Sequence, residues 1–134
     1  MNVTTSYRFR CLLIAFVLLA LAFASKFYYG PYWRFSNAYL GDVFIVGTLY
    51  FFLSIGLPTL APLKKALIIA LVALCVELFQ ATGIPASWGL PEPFSFVLGT
   101  AFDWRDFIFY SIGLLLALGL DKRPSNENEN ESLF

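Results

Sequence analysis

"ALIIALVALCVELFQ", residues 66–80, decides how this chain is read. From Ala66 to Phe79 every residue is apolar except Glu77. The run is too long for an ordinary strand and approaches the ~20 residues that an α-helix needs to cross ~30 Å of hydrocarbon. Within it, Ala66, Ala70, Ala73 and Glu77 recur at spacings of four, three and four, and Gln80 continues the series. That spacing places all five on one helix face. Leu67, Leu71, Leu74 and Leu78 then fall on other faces, toward lipid or a neighbouring helix. The stretch therefore predicts a membrane helix with a small-residue stripe that ends in a carboxylate.

Three further runs have the same character: Cys11–Ala24, Val43–Leu57 and Phe107–Leu120. The chain has 134 residues, 59% hydrophobic and 13% charged, with a mean hydropathy of +0.72. Soluble domains carry about 25% charged residues. The expected fold is all-α, an integral membrane four-helix bundle over residues 1–120. Its helices are expected at about 9–28, 41–57, 64–81 and 105–121. None of the apolar runs reaches ~20 residues, so flanking residues must enter the slab. Residues 121–134, containing "PSNENENESLF", are expected to form a disordered polar tail.

Basic residues in short loops set orientation. Arg8 and Arg10 precede the first helix, Lys64 and Lys65 lie between the second and third, and Lys122 and Arg123 follow the fourth. All three groups fall on one side, which places both termini in the cytoplasm. Lys26, Arg34 and Arg105 lie on the opposite side. A rival reading takes "LAFAS", residues 21–25, as a signal-peptidase site with Ala22 and Ala24 in the A-x-A positions. Cleavage there would leave three spans with unchanged orientation.

The outer segments carry their own signals. "KFYYGPYWRF" (26–35) has the aromatic and basic composition of a membrane–water interface. "GIPASWGLPEPF" (83–94) is rich in Pro and Gly and reads as an external loop rather than a regular helix, with an interfacial stretch at Phe94–Leu98. The formal net charge of zero offers no nucleic-acid surface. No histidine is present, which removes the usual zinc, haem and histidine-based catalytic chemistries, and no cofactor or metal is expected. Cys11 and Cys75 fall at different depths and read as apolar packing residues rather than a disulfide.

Depth gathers the remaining polar residues. Glu77 lies twelve residues beyond Lys65, about 18 Å along a helix. Asp106 lies fifteen residues before Asp121, about 22 Å up the returning helix. Asp42 opens the second helix at its outer end. Asp42, Glu77, Gln80, Arg105 and Asp106 should therefore meet in the outer leaflet. On the fourth helix Asp106, Tyr110, Gly113 and Ala117 form a second stripe. Small residues let membrane helices approach closely, and the simplest packing sets this stripe against that of the third helix. Plainer roles stand beside this one. Asp42 and Asp106 suit helix N-termini, Arg105 suits lipid headgroups, Gln80 suits an interhelical hydrogen bond, and Glu77 suits a structural one.

"YLGDVF" (39–44), "ELFQ" (77–80) and "LGTAFDWRDFIFYSIG" (98–113) resemble the signature blocks of an uncharacterised family of small four-helix bacterial membrane proteins, distantly similar to VanZ-like proteins. The resemblance covers Ser25–Leu120. Gly41, Asp42, Glu77, Gln80, Leu98, Gly99, Phe102, Trp104, Asp106, Tyr110 and Gly113 fall on its motif positions. Ser25 and Lys26 match a Ser-basic pair after the first helix, which argues against cleavage at Ala24. The pattern's arginine between the tryptophan and the Leu-Gly pair is missing here, and Arg105 is not part of the pattern. The resemblance implies a location in the bacterial inner membrane and a link to the cell envelope, without an established reaction.

Three functions follow as expectations. The leading one is a polar pocket at the outer leaflet, lined by Asp42, Glu77, Gln80, Trp104, Asp106 and Tyr110, that binds a lipid-linked or amphipathic envelope molecule. The second is an enzyme in which paired carboxylates act as acid and base, or hold a divalent metal on a phosphate. The third is transport of protons or a small solute, disfavoured because the inner halves of the helices read as almost wholly apolar. The lipid bilayer is the partner throughout, and four short helices leave surface for a homodimer.

Overall fold

The computed structural model describes residues 3–89, 91 and 103–122. It is all-helical, with four long helices: α1 (Val3–Lys26), α2 (Trp33–Gly56), α3 (Pro62–Ala81) and α5 (Asp106–Leu120). A five-residue helix, α4 (Ile84–Trp88), follows α3. Two of the helices, α1 and α2, are long and apolar enough to cross a membrane. At 24 residues each, they extend about 36 Å. The expected tail and the expected interfacial stretch at Phe94–Leu98 lie outside the described residues, except for Asp121 and Lys122.

The largest departure from the sequence reading is the start of α2. It begins at Trp33 rather than near residue 41, and runs through a π-helical turn at Ser36–Leu40 into Gly41–Gly56. The aromatic stretch that reads as an interface is thus partly helical, and this supplies the length missing from the apolar run. Tyr32 starts the helix in the left-handed conformation, φ 60°, and no other non-glycine among the described residues has a positive φ. The π turn coincides with a diverted carbonyl, since Lys26 Nζ donates to Asn37 O at 3.2 Å. Asn37 Nδ2 in turn donates to Ser25 O, Tyr28 O and Trp33 O, and Ser36 Oγ donates to Ser25 O at 2.9 Å. The two bonds to Ser25 O satisfy a carbonyl at the end of α1 that a helix otherwise leaves without a donor.

Other boundaries differ less. α1 starts at Val3, ahead of the expected residue 9. α3 starts at Pro62, where a proline costs no helical hydrogen bond. The Pro/Gly-rich loop does contain a helix, because Gly83 (φ 77°) and Gly89 (φ 59°) turn the chain sharply on either side of it.

Neighbouring helices run antiparallel. Tyr7 and Asp121 bond to each other at one end, and Tyr110 and Glu77 at the other. The first and last described residues therefore lie at the same end, where Arg10 Nη2 also donates to Lys122 O. α2 is the central helix and contacts α1, α3 and α5. The expected stripe on α3 faces inward: Ala66, Glu77 and Gln80 are buried and Ala70 and Ala73 half-buried, whereas Leu67 and Leu71 are each 61% exposed. Cys11 is buried in the core, and Cys75 is exposed rather than packed.

The stripe on α5 is real but meets a different partner along part of its length. Tyr110 reaches α3, yet Gly113 lies against the backbone of α2 at Val43. A Cβ on Gly113 would stand 2.5 Å from Val43 O, so close packing on α2 requires a glycine there. Gly119 has open space around it. Gly113→Ala is expected to destabilise the bundle by roughly 1–3 kcal/mol, and Gly119→Ala to leave it unchanged or slightly stabilised. Unfolding of both variants in one detergent checks the difference.

Candidate functional site

The end of the bundle remote from the described termini gathers carboxyl groups from three helices. Asp42 comes from α2, Glu77 from α3 and Asp106 from α5. Asp42, Asp106 and Glu77 lie close enough to act on one another electrostatically. This is the meeting expected from depth. Tyr110, one turn along α5 from Asp106, donates from its hydroxyl to Glu77 Oε1 at 2.7 Å. Glu77 is 0% exposed, and its Oε2 has no hydrogen-bond partner among the described residues. An acceptor buried without a donor costs about 1–3 kcal/mol, more when charged.

The capping roles are not what the structure contains. Asp42 lies well inside α2, two residues after the π turn, rather than at a helix start. Asp106 is the first residue of α5, but no side chain caps that helix. The turn into α5 is held by Asp103, which sequence reasoning missed. Its Oδ1 accepts from the Arg105 backbone N–H at 3.0 Å, and its Oδ2 accepts from Tyr39 O–H at 3.1 Å. The Asp-x-Arg spacing is an Asx turn and was the available signal.

The other expected lining residues divide. Gln80 is buried on the Glu77 face of α3. Trp104 is 62% exposed, with the Arg105 guanidinium 5.9 Å from its ring centre. Arg105 also donates to the Tyr39 hydroxyl at 3.3 Å. Both residues are exposed and lie outside the buried cluster. Among the described residues, no group of three or more His, Cys, Asp or Glu could hold a metal ion.

The opposite end holds a network that sequence reasoning also missed. Lys65 Nζ donates to Asp121 Oδ2 at 2.9 Å, to Ser54 Oγ at 2.8 Å and to Tyr7 O–H at 2.9 Å. These three bonds use every proton of the ammonium. Tyr7 O–H donates to Asp121 Oδ1 at 2.7 Å, and Tyr50 O–H donates to Asp121 Oδ2 at 2.5 Å. Both charged side chains are 0% exposed. Lys65 is therefore a buried partner and not a solvated loop charge, and this end of the bundle is not wholly apolar. The same depth argument, applied to Tyr7, Ser54, Lys65 and Asp121, would have brought these residues together.

Burial pushes the Asp121 carboxyl up, but hydrogen bonds from Tyr50, Tyr7 and Lys65, with the lysine charge, overcome it. The carboxyl is held below its ordinary value of 3.8. The two ends thus contrast: at the Lys65 end the charges are matched by opposite charge and donors, and at the Glu77 end acceptors predominate.

Residues 32–114 match the DUF2809 family, described as a protein of unknown function. The match spans more than half of the 134 residues, and the chain belongs to that family. It contains Asp42, Glu77, Gln80, Trp104, Asp106 and Tyr110, whereas Tyr7 and Asp121 fall outside it. No curated protein and no solved structure matches the chain.

Lys65→Met leaves Asp121 buried without its counter-charge and is expected to cost about 3–5 kcal/mol of stability. A Lys65→Met/Asp121→Leu double variant is expected to recover part of that loss, read by denaturant unfolding. Because the Asp121 carboxyl is depressed on folding, its contribution is complete above 3.8 and is lost as pH falls through the lower folded value. Unfolding followed from pH 6 to pH 2 is expected to show a larger acid loss in wild type than in Asp121→Asn.

Proposed function

We propose that the chain is a multi-pass protein of the bacterial inner membrane, VanZ-like in its envelope role, with both termini in the cytoplasm. In this reading its carboxylate end binds the polar head of a lipid-linked or amphipathic cell-envelope molecule at the outer leaflet. Glu77 is the observation that carries the proposal. A wholly buried carboxylate with one oxygen unmatched among the described residues is expensive, and such groups inside membranes are commonly functional. Asp42, Glu77 and Asp106 are acceptors when ionised, so the bound head should be rich in donors, such as sugar hydroxyls or an amine. Gln80 and Tyr110 add polar contacts, and Trp104 lies at the rim, where an aromatic ring suits the membrane–water boundary. The outward leucines of α3 support membrane insertion, as do the length and composition of α1 and α2.

A second reading, transport of a proton or small solute, gains from the buried Lys65–Asp121 network, because a polar group is now present at each end of the bundle. About 18 Å of α3 separates Lys65 from Glu77. The faces between them are built from small apolar residues such as Ala66 and Ala70, which favours binding over conduction.

Binding is tested with purified protein in nanodiscs and lipid extracts from bacterial envelopes. Saturable binding that weakens at least tenfold in Glu77→Gln is expected. No saturable binding, or binding indifferent to that substitution, contradicts the proposal. In proteoliposomes, a pH gradient discharged by wild type and not by Glu77→Gln would favour transport instead.

A further inference from the structure

A cleft opens between the end of α1 and the start of α2. Leu21, Ala24, Ser25 and Tyr28 line it from the α1 side, at spacings of three, one and three. Tyr32, Ser36, Leu40 and Phe44 line it from the α2 side, at steps of four. Its volume is about 420 Å³, within the ~300–1,000 Å³ of small-molecule sites. From Phe35 to Phe44 its α2 wall runs about 14 Å. That is close to the depth of one leaflet, half of the ~30 Å hydrocarbon core. Both serines have committed their hydroxyls to backbone: Ser25 Oγ donates to Ala22 O at 2.8 Å, and Ser36 Oγ donates to Ser25 O at 2.9 Å. The walls therefore offer an occupant apolar surface and few hydrogen bonds. Tyr28 and Tyr32 are exposed, 42% and 87%, and amphipathic rings of this kind suit the headgroup level. Tyr32 also holds φ 60°, an unfavourable conformation for a bulky residue and one commonly kept for function. So exposed a ring is not explained by packing within the described protein. Residues 26–41 carry Lys26 and Arg34 and no acid, which makes this stretch of the chain positive. Arg34 is exposed beside Phe35, with its guanidinium 5.4 Å from the Trp33 ring centre.

We propose that this cleft is a binding site for one anionic phospholipid of the bilayer, distinct from the carboxylate site. An acyl chain lies along the apolar walls between Leu21 and Phe44, Tyr32 closes over it at the mouth, and Arg34 attracts the phosphate. The inference rests on the placement of the chain in a membrane and not on the carboxylate reading. Asp42 falls between Leu40 and Phe44 in the chain and so lies on the opposite face of α2, which separates the two sites. A phosphate head is favoured at the mouth of the cleft because its charge is positive, whereas the acids lie on the other side of the helix. One basic residue close to an anionic headgroup contributes about fivefold in affinity, so the preference for an anionic over a neutral lipid should be of that order.

The full chain carrying Trp88→Phe and Trp104→Phe keeps Trp33, beside the cleft, as its one tryptophan. In detergent micelles it is titrated with phosphatidylglycerol brominated in its acyl chains and, separately, with phosphatidylcholine bearing the same chains. Bromine quenches tryptophan fluorescence on close approach. The expected result is quenching by phosphatidylglycerol that saturates at about one lipid per chain, roughly fivefold tighter than by phosphatidylcholine. Ala24→Phe fills the cleft at an exposed position and should weaken that binding about tenfold. Tyr32→Gly keeps the left-handed backbone without the ring and should weaken it several-fold. Arg34→Gln should remove the preference between the two lipids while both still bind. Leu67→Phe, on the exposed face of α3, should change nothing. Quenching that rises without saturation, or saturable quenching indifferent to both Ala24→Phe and Tyr32→Gly, overturns the site. Equal affinity for the two lipids in the parent protein overturns the anionic occupant. None of these outcomes bears on binding at Glu77, which is read by the separate lipid-extract experiment.

Discussion

A lysine ammonium leaves water at a cost of several kcal/mol, and a bundle can bury one only if it supplies a counter-charge and a full set of acceptors. Lys65 has both. Its three bonds draw on α1 through Tyr7, on α2 through Ser54 and on the residue after α5 through Asp121. Each of the four long helices therefore meets at this one point, and a shift in any of them would leave a charge unmatched. Apolar faces alone specify register poorly, and least of all where lipid surrounds a bundle, since lipid tails are as apolar as the helix faces. The ion pair is the part of the bundle with the most to lose from a wrong register.

From that fixed end the helices run to the opposite one, where the arrangement is different. α2 carries Asp42 past the π turn, α3 carries Glu77, and the close approach of α5 at Gly113 brings Asp106 and Tyr110 alongside. The first end matches its charges within the protein. The second has more acceptors than donors, with Glu77 Oε2 as the clearest surplus among the described residues. This difference is the physical ground for assigning structure to one end and binding to the other.

The sequence made part of this legible for specific reasons. Helix count, antiparallel order and the inward stripe of α3 follow from apolar run length and 3.6-residue periodicity, and the depth argument placed Asp42, Glu77 and Asp106 together. The start of α2 was hidden because aromatic and basic residues at 26–35 carry an interfacial composition whether or not the backbone is helical, and because a π turn leaves no sequence mark. The Lys65 network was hidden by a rule of averages: lysines in short loops usually stay in water, although depth alone brings Tyr7, Ser54, Lys65 and Asp121 to one level. Trp104 matched a motif position, yet position in a motif does not say whether a ring points inward. The preference of α5 for α2 was equally invisible, since a small-residue stripe states that a helix can approach closely but not which helix it approaches.

The most direct measurement is the thermal stability of Glu77→Gln against wild type, purified in the same detergent without added ligand. Buried charges kept for function commonly cost stability, and removing them restores it. The account predicts that Glu77→Gln is as stable as wild type or more so. A clear loss of stability would mean that the glutamate is a structural hydrogen-bonding group, and would contradict the assignment of a binding site to this end of the bundle.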